Sequence, residues 1–290
     1  MTRSPRTRLR ERLAGGQLLV LPGAANALGA RIIEDTGHEA VYVTGAGVAN
    51  TFLGVPDIGL LGLSELAAHV AAIRDAVELP LVVDADTGFG NALSVHHTVQ
   101  VLERAGADAI QLEDQTFPKR CGHFAGKDVV SRDEMCAKVA AAVAARRDAD
   151  FMVIARTDAR AVHGLDDACE RANAYRDAGA DVVFVEAPEA ERDVELVAAR
   201  VAGPQVINQV EGGMTPMLPA ERLQALGFAI ALHANLALLA GVAAMRAVLA
   251  ELRTTGSTRD LTTPLASWDE RQRLVRKPWF DELAARSSSS

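Results

Sequence analysis

The segment Arg104-Ala-Gly-Ala-Asp-Ala-Ile-Gln-Leu-Glu-Asp114 joins the end of a helical pattern, a glycine turn, a short apolar run and two carboxylates. A glycine after a helix supplies the left-handed residue that ends it, and the apolar run that follows is typical of a buried parallel strand. The same order returns in Asp177-Ala-Gly-Ala-Asp-Val-Val-Phe-Val-Glu186 and, more weakly, in Asp35-Thr-Gly-His-Glu-Ala-Val-Tyr-Val-Thr44. The chain therefore repeats a helix–turn–strand unit.

This unit can be followed along the whole chain of 290 residues. Strands are predicted at residues 18–21, 40–43, 81–83, 109–112, 152–155, 182–185, 205–207 and 229–232. Helical patterns separate them, among them 63–76, 94–105, 132–147, 166–178 and 236–253. Eight alternations predict an α/β chain folded as a closed (β/α)8 TIM-type barrel. A doubly wound open sheet is the alternative, although no GxGxxG motif follows the first strand.

Composition narrows the class of protein. Apolar residues make up 49% and charged residues 23%, as in an ordinary globular enzyme, and the formal net charge of -8 disfavours a nucleic-acid partner. The longest apolar run, around residues 229–248, is interrupted by polar residues and is interpreted as a strand plus a buried helix, not a membrane span. Three cysteines without a CxxC pair favour a cytoplasmic protein, and Cys136 and Cys169 are expected to be buried and unreactive.

No shift in composition marks a second domain. Residues 1–290 are therefore expected to form a single barrel domain, with a core at about 13–250 and a C-terminal helical extension at about 259–286.

Polar side chains stand where the predicted strands end. They are Thr44, Asp84 with Asp86, Glu113 with Asp114, Arg156 with Asp158, Glu186, Asn208 with Glu211, and His233. In barrels of this class the reacting groups lie at the C-terminal ends of the strands. So many carboxylates in one mouth repel each other unless a cation compensates them, and oxygen ligands suit Mg2+ or Mn2+ better than zinc. The sequence predicts a hard divalent metal.

A long loop follows the fourth strand and contains Lys119-Arg-Cys-Gly-His123. Loops longer than about 12 residues in a compact fold are usually functional, often as lids. Cationic neighbours of Cys121 favour its thiolate and make its proton available, which permits general acid–base catalysis. A nucleophilic role is an alternative, and so is a surface cysteine in a basic loop.

Arg156 ends an apolar strand, where a positive charge is costly unless it meets an anion. A bidentate clamp on a substrate carboxylate is one use of such an arginine. An internal salt bridge to Asp158 or Glu186 is the other.

Six strings, in order between about residues 18 and 250, resemble the isocitrate lyase/phosphoenolpyruvate mutase superfamily. They are Tyr42-Val-Thr-Gly, Asp84-Ala-Asp-Thr-Gly-Phe-Gly-Asn91, Gln111-Leu-Glu-Asp-Gln115, Pro118-Lys-Arg-Cys-Gly-His123, Ile154-Ala-Arg-Thr-Asp-Ala159 and Asn208-Gln-Val-Glu-Gly-Gly-Met-Thr-Pro216. The Lys-Arg-Cys-Gly-His string is specific to the lyase-type branch. The length is similar to that of methylisocitrate lyase, dimethylmalate lyase, oxaloacetate hydrolase and carboxyphosphonoenolpyruvate mutase.

The resemblance implies a barrel whose last helix is exchanged with a neighbouring subunit, in homotetramers built from such dimers. It implies Mg2+ bound directly by Asp84, with Asp57, Asp86 and Glu113 reached largely through water. It implies Cys121 as the acid that protonates the departing carbanion. The implied substrate-binding residues are Tyr42, Thr44, Gly45, Ala46, Gly122, His123, Arg156, Glu186 and Asn208.

Two segments depart from the lyase pattern. Thr44-Gly45-Ala46 stands where lyases usually have Ser-Gly-Gly or Ser-Gly-Ser, and His233-Ala234-Asn235 stands where most have Tyr-Pro. An Ala-Asn or Gly-Asn pair in the second segment is more similar to the mutase and phosphonopyruvate hydrolase branch.

The expected activity is that of a Mg2+-dependent carbon–carbon lyase. It would cleave a 2-hydroxy di- or tricarboxylic acid, similar to methylisocitrate or a dialkylmalate, into an α-keto acid and a second carboxylic acid. Arg156 would hold a carboxylate, and Glu113 or Tyr42 would assist removal of the hydroxyl proton. The alternatives are a phosphonate enzyme of the carboxyphosphonoenolpyruvate mutase or phosphonopyruvate hydrolase type, an oxaloacetate hydrolase, and a catalytically silent barrel that serves as a binding module.

Overall fold

The computed structural model describes residues 3–120 and 126–287. Within those residues the strands are β1 Leu19–Ala24, β2 Val41–Val43, β3 Leu81–Asp84, β4 Ala109–Glu113, β5 Met152–Thr157, β6 Val182–Val185, β7 Gln205–Asn208 and β8 Ile230–His233. Each strand pairs in parallel with the next, and β1 pairs with β8 to close the ring. The predicted (β/α)8 barrel is confirmed, and the open-sheet alternative is wrong.

Helices surround the barrel and extend beyond it. They are α1 Pro5–Ala14, α2 Ala27–Asp35, α3 Gly45–Val48, α4 Leu63–Ala76, α5 Ala92–Ala105, α6 Arg132–Ala145, α7 Arg160–His163, α8 Leu165–Asp177, α9 Glu191–Arg200, α10 Ala220–Leu226, α11 Leu236–Thr255, α12 Trp268–Leu274 and α13 Lys277–Ser287. A π-helical turn, Ala49–Leu53, follows α3. The five helices predicted by number begin and end within two residues of these bounds.

Several predicted strands stop one to three residues too early. The sheet continues through the polar residues Asp84, Glu113 and Asn208, which pair with neighbouring strands. These polar residues stay in the sheet because strand pairing satisfies their backbone N–H and C=O groups whatever the side chain is. The candidate site is thus built on strand ends, which are rigid, and not only on loops.

Alternation along the strands divides the core into two parts. Side chains that point to the axis, such as Leu21, Val82 and Phe184, form one buried cluster, which Leu9 and Leu13 of α1 close at the N-terminal end. Side chains that point outward pack beneath the helices in a larger cluster and in a small one around Phe228. The N-terminal end is therefore filled, and the open end is the C-terminal mouth.

Helix α11 has no buried residue. It carries apolar side chains three or four residues apart that are exposed: Leu236, Leu239, Val242, Met245, Leu249 and Leu252. The expectation of a buried helix at 236–253 is thus wrong for the single chain, because every residue of α11 is partly or fully exposed. Among the described residues, no helix combines the length and the apolar character that a membrane crossing requires.

Candidate active site

The C-terminal mouth is lined by side chains in phase with the barrel interior. Side chains alternate along a strand, so a residue two positions beyond an interior residue also faces the axis. Val82 is followed in this way by Asp84, and Phe184 by Glu186. The cavity they enclose has a volume of about 60 Å3. It is lined by Tyr42, Thr44, Ala46, Asp57, Asp84, Glu113, Lys119, Arg120, Arg156, Glu186, Asn208, Val210, Leu232, Ala234 and Asn235.

Most of the predicted site residues meet at this cavity. Gly45 and Asp86 lie directly behind its wall: a Cβ atom at Gly45 would be 3.2 Å from Asp84 Oδ2 and 3.4 Å from Asp86 Oδ1. A glycine therefore lets the backbone pass against both carboxylates. The predicted residues Cys121, Gly122 and His123 lie outside the described residues.

The other two cysteines are remote from the cavity. Cys169 is buried, whereas Cys136 is only half-buried, so the expectation of burial was wrong for Cys136. Burial raises the pKa of both thiols, which disfavours the reactive thiolate.

Lys119 lies inside the acidic cluster. Its Nζ atom is 2.5 Å from Asp57 Oδ1 and 2.7 Å from Asp86 Oδ1, and its side chain is 4% exposed. Burial raises the pKa of Asp86 to about 7, with Lys119 opposing the shift and Asp84 and Asp57 adding to it. Burial also raises the pKa of Glu113 well above its ordinary value. The sequence had suggested Lys119 only as a neighbour of Cys121, so its place among the carboxylates was missed.

Arg156 forms the internal salt bridges that the sequence offered as one of its two uses. Its Nε and Nη2 atoms donate to Asp158 at 2.8 and 3.0 Å, and its Nη1 atom is 2.9 Å from Glu186 Oε2. A guanidinium has five N–H groups. Three of them face these carboxylates, which leaves two for an anion in the cavity. The salt bridges therefore do not exclude a substrate clamp.

Asp114 was expected at the rim, and this expectation was wrong. Because it follows the inward-facing Glu113, its side chain points outward and is fully buried behind the site. It accepts hydrogen bonds from Thr157 Oγ1 at 2.7 Å, Tyr175 OH at 2.7 Å and the backbone N–H of Asp158 at 2.9 Å. Asp114 thus fixes the end of β5, the strand that carries Arg156, and the start of the turn at Asp158.

His233 was also expected at the rim. It is out of phase with the inward-facing Leu232 and does not line the cavity. Its Nδ1 atom is 3.7 Å from Glu211 Oε1, and Glu211 does not line the cavity either. The two residues after His233 do reach the cavity: Asn235 Oδ1 accepts from Thr44 Oγ1 at 3.2 Å.

Residues 9–253 match a family model described as phosphoenolpyruvate phosphomutase. The chain belongs to this family. It is 42% identical to 2,3-dimethylmalate lyase of Eubacterium barkeri over 263 residues, 91% of each chain. It is 42% identical to 2-methylisocitrate lyase of Aeropyrum pernix, over 92% of this chain and 86% of that one. It is 41% identical to the chloroplastic carboxyvinyl-carboxyphosphonate phosphorylmutase of Arabidopsis thaliana, over 94% and 81%.

Solved structures agree with this membership of the phosphoenolpyruvate phosphomutase family. A 2,3-dimethylmalate lyase superposes with a TM-score of 0.92 at 34% identity, covering 99% of this chain and 96% of that one. Phosphonopyruvate hydrolase in complex with oxalate and Mg2+ superposes with a TM-score of 0.89 at 33% identity, covering 98% and 99%. The relatives are named lyases and mutases. The predictions that the chain belongs to this superfamily and that it is an enzyme of the carbon–carbon lyase kind are therefore confirmed.

The residues of this family member fit a hard divalent cation. Glu113 Oε1 and Asn208 Oδ1 are buried at the cavity without a hydrogen-bond partner, and the carboxylates of Asp57 and Asp84 line the same cavity. In the part of the chain that the structure describes, no three Asp, Glu, His or Cys side chains converge as a ready-made cage. Mg2+ does not need one, because it usually keeps several waters and binds through one or two carboxylates.

Proposed function

We propose that the chain is a Mg2+-dependent carbon–carbon lyase that cleaves a 2-hydroxy di- or tricarboxylic acid to an α-keto acid and a second carboxylic acid. The observation that carries the proposal is one cavity that combines oxygen donors for a cation with an arginine that keeps N–H groups for an anion. A metal-chelating hydroxy acid that carries a second carboxylate matches both features. The 42% identity to two named lyases supports the same reaction class.

The metal would be held by Asp84, with Asp57, Asp86 and Glu113 around it, and Mn2+ would serve as well. When bound, it supplies Lewis-acid polarisation of the 2-hydroxycarboxylate. Lys119, which also lines the cavity, compensates part of the same negative charge at Asp57 and Asp86.

Arg156 would bind the substrate's second carboxylate, and Thr44, Gly45 and Ala46 would bind the first. Glu113, with Tyr42 beside it, would accept the hydroxyl proton, because its Oε1 atom is buried at the cavity without a hydrogen-bond partner. The carbon–carbon bond then breaks, its electron pair stays on the departing fragment, and Cys121 gives that carbon a proton. Gly122, His123, Glu186 and Asn208 would complete the contacts with the substrate.

A substrate panel tests this proposal. The enzyme is incubated with Mg2+ and 2-methylisocitrate, 2,3-dimethylmalate or oxaloacetate, and keto-acid or oxalate release is followed in a coupled assay. We expect release from one of the two hydroxy acids, complete loss after chelation, and recovery with added Mg2+ or Mn2+. Asp84→Ala should lose activity while it keeps the melting temperature. Full turnover in the presence of a chelator contradicts the metal role.

One observation favours a phosphonate enzyme as the second candidate. Ala234 and Asn235 line the cavity, and this pair is the departure from the lyase pattern. A relative named as a phosphorylmutase is 41% identical to the chain. Phosphorus NMR after incubation with phosphonopyruvate or carboxyphosphonoenolpyruvate distinguishes the two candidates. A change in the phosphorus spectrum without keto-acid release from the hydroxy acids makes the phosphonate enzyme the first candidate. Oxalate release from oxaloacetate, with no release from the other substrates, indicates a hydrolase.

The exposed apolar stripe of α11 supports an exchange of this helix between subunits. We propose that residues 1–290 form one barrel domain and that α11 is exchanged between subunits of a cytoplasmic homotetramer. Leu249 is 61% exposed on this stripe, whereas Leu93 is 82% exposed on α5. Light scattering after size exclusion should show a tetramer for the wild type and Leu93→Arg, and a smaller species for Leu249→Arg. A wild-type monomer contradicts the exchange.

A further inference from the structure

The strongest charge arrangement outside the cavity lies directly behind Arg156. The Nζ atom of Lys127 donates to Asp158 Oδ1 at 2.9 Å, and the two side chains are 2% and 0% exposed. The same Asp158 oxygen accepts from Arg156 Nη2 at 3.0 Å, while its Oδ2 accepts from Arg156 Nε at 2.8 Å. One buried carboxylate thus bridges two cations, only one of which lines the cavity.

Main-chain pairing fixes the position of Lys127. The backbone N–H of Thr116 donates to Asp128 O at 2.9 Å, and that of Val130 donates to Asp114 O at 2.8 Å. These bonds join the segment that carries Lys127 to the chain that leaves β4. Lys127 directly precedes residues 128–130, which backbone hydrogen bonds hold against the chain that leaves β4, and its ammonium donates to Asp158.

The charge balance shows what this ammonium does. Arg156 faces three buried carboxylates, Asp158, Glu186 and Glu113, so these four groups together carry a net charge of -2 when all are ionised. Such a group repels an anionic substrate although it contains an arginine. Lys127 reduces this excess negative charge by one unit without entering the cavity. A unit charge about 8 Å away at an effective dielectric constant of about 20 changes the affinity for an anion by roughly ten- to thirtyfold.

We infer that Lys127 is a positioning residue that, through Asp158, holds Arg156 in place and keeps it attractive to the carboxylate of the substrate. This inference rests on the proposed function only in that Arg156 meets a carboxylate, not in which bond is cleaved. It also gives Asp158 a role: the carboxylate transmits the effect of Lys127 to the guanidinium.

The test uses Lys127→Met, Lys127→Arg and a matched control, Lys138→Met. The Lys138 side chain is 4% exposed and donates to the backbone oxygen of Thr87 at 3.3 Å, so the control removes a buried ammonium that does not contact Asp158. Calorimetry with Mg2+ measures the Kd of oxalate, and kinetics on the substrate that the panel identifies give KM and kcat. Melting temperatures report on stability.

Lys127→Met should raise the Kd of oxalate and KM about ten- to thirtyfold, with kcat within about threefold of wild type. Lys127→Arg should restore most of the affinity, and Lys138→Met should lower the melting temperature without a change in Kd. If Lys127→Met does not fold, Lys127→Gln keeps a donor to Asp158 without the charge and should show the same loss of affinity.

Wild-type affinity in the uncharged variants, or an equal loss in Lys138→Met, overturns the inference. Wild-type protein that does not bind oxalate in the presence of Mg2+ also overturns it. Binding of oxalate that depends on Lys127, together with no cleavage of any hydroxy acid, supports the inference and contradicts the proposed function.

Discussion

Replacing Arg156 with methionine should destabilise the barrel strongly as well as weaken substrate binding. The side chain is 10% exposed and forms ion pairs with Asp158 and Glu186, both 0% exposed. Removing one partner of a buried ion pair costs about 3–5 kcal/mol, because the remaining charge stays buried and uncompensated. For a domain of about 150–250 residues, each kcal/mol lowers the melting temperature by about 2–4 °C. The expected fall in melting temperature is therefore about 6–20 °C.

The pH dependence of this loss follows from Asp158. Burial alone would raise the pKa of Asp158, but Arg156 and Lys127 override it and bring the pKa to about 2, below its ordinary 3.8. A carboxylate with a lowered pKa in the folded state contributes stability above its unfolded pKa and loses it as pH falls through the folded one. The difference in melting temperature between the wild type and Arg156→Met should therefore stay constant from pH 8 to about 5 and become smaller below about pH 4.

Differential scanning fluorimetry across this pH range measures both effects. Arg104→Met, at an exposed position on α5, is the matched control and should leave the melting temperature within about 2 °C of wild type. A fall of less than about 2 °C for Arg156→Met, or a gap that widens as the solution is acidified, would refute the reasoning.

Three further perturbations test other parts of the structure. Tyr175→Phe removes the hydroxyl that donates to Asp114 at 2.7 Å and should cost about 1.5–3 kcal/mol in urea unfolding; an unchanged midpoint would contradict this. Gly23→Ala places a Cβ atom 1.9 Å from the carbonyl oxygen of Ala234, so it should cost at least about 2 kcal/mol or prevent folding, and wild-type stability would show that the turn before α11 yields freely. Cys121→Ser should lower kcat by several orders of magnitude with KM near wild type, since serine keeps the size and loses the acidity; near-wild-type turnover would exclude Cys121 as the acid.

Much of the barrel and its mouth could be predicted because both follow from repeats in the local sequence: the helix–turn–strand unit and the alternation of side chains along each strand. Apolar runs after glycine turns give the strands, and the first polar residue in phase with the interior gives the site, as for Asp84 and Arg156. The same period could have excluded Asp114, because consecutive strand residues face opposite sides and Glu113 is already directed inward. That error came from treating adjacent polar residues as a cluster instead of assigning each to a face.

For Asp57 and Lys119, these sequence repeats do not predict which way the side chain points. Asp57 lies between the π-helical turn and α4, and Lys119 lies in the loop after β4. Neither segment is regular, so the direction of a side chain depends on distant contacts that no local pattern encodes. The family resemblance suggested Asp57, but nothing in the sequence suggested that the Lys119 ammonium would sit 2.5 Å from it.

Helix α11 shows a different limit. Its apolar residues recur at helical spacing, which indicates a buried face, and the helix forms within two residues of the predicted bounds. The pattern predicts that one face of the helix is buried, but not which surface buries it. In the single chain, the barrel leaves this apolar stripe of α11 exposed. Asn235, which contacts Thr44 at 3.2 Å, directly precedes this helix. A partner that covers α11 would therefore fix the orientation of a helix that begins at the wall of the cavity, so that assembly and the shape of the site are physically linked through one residue.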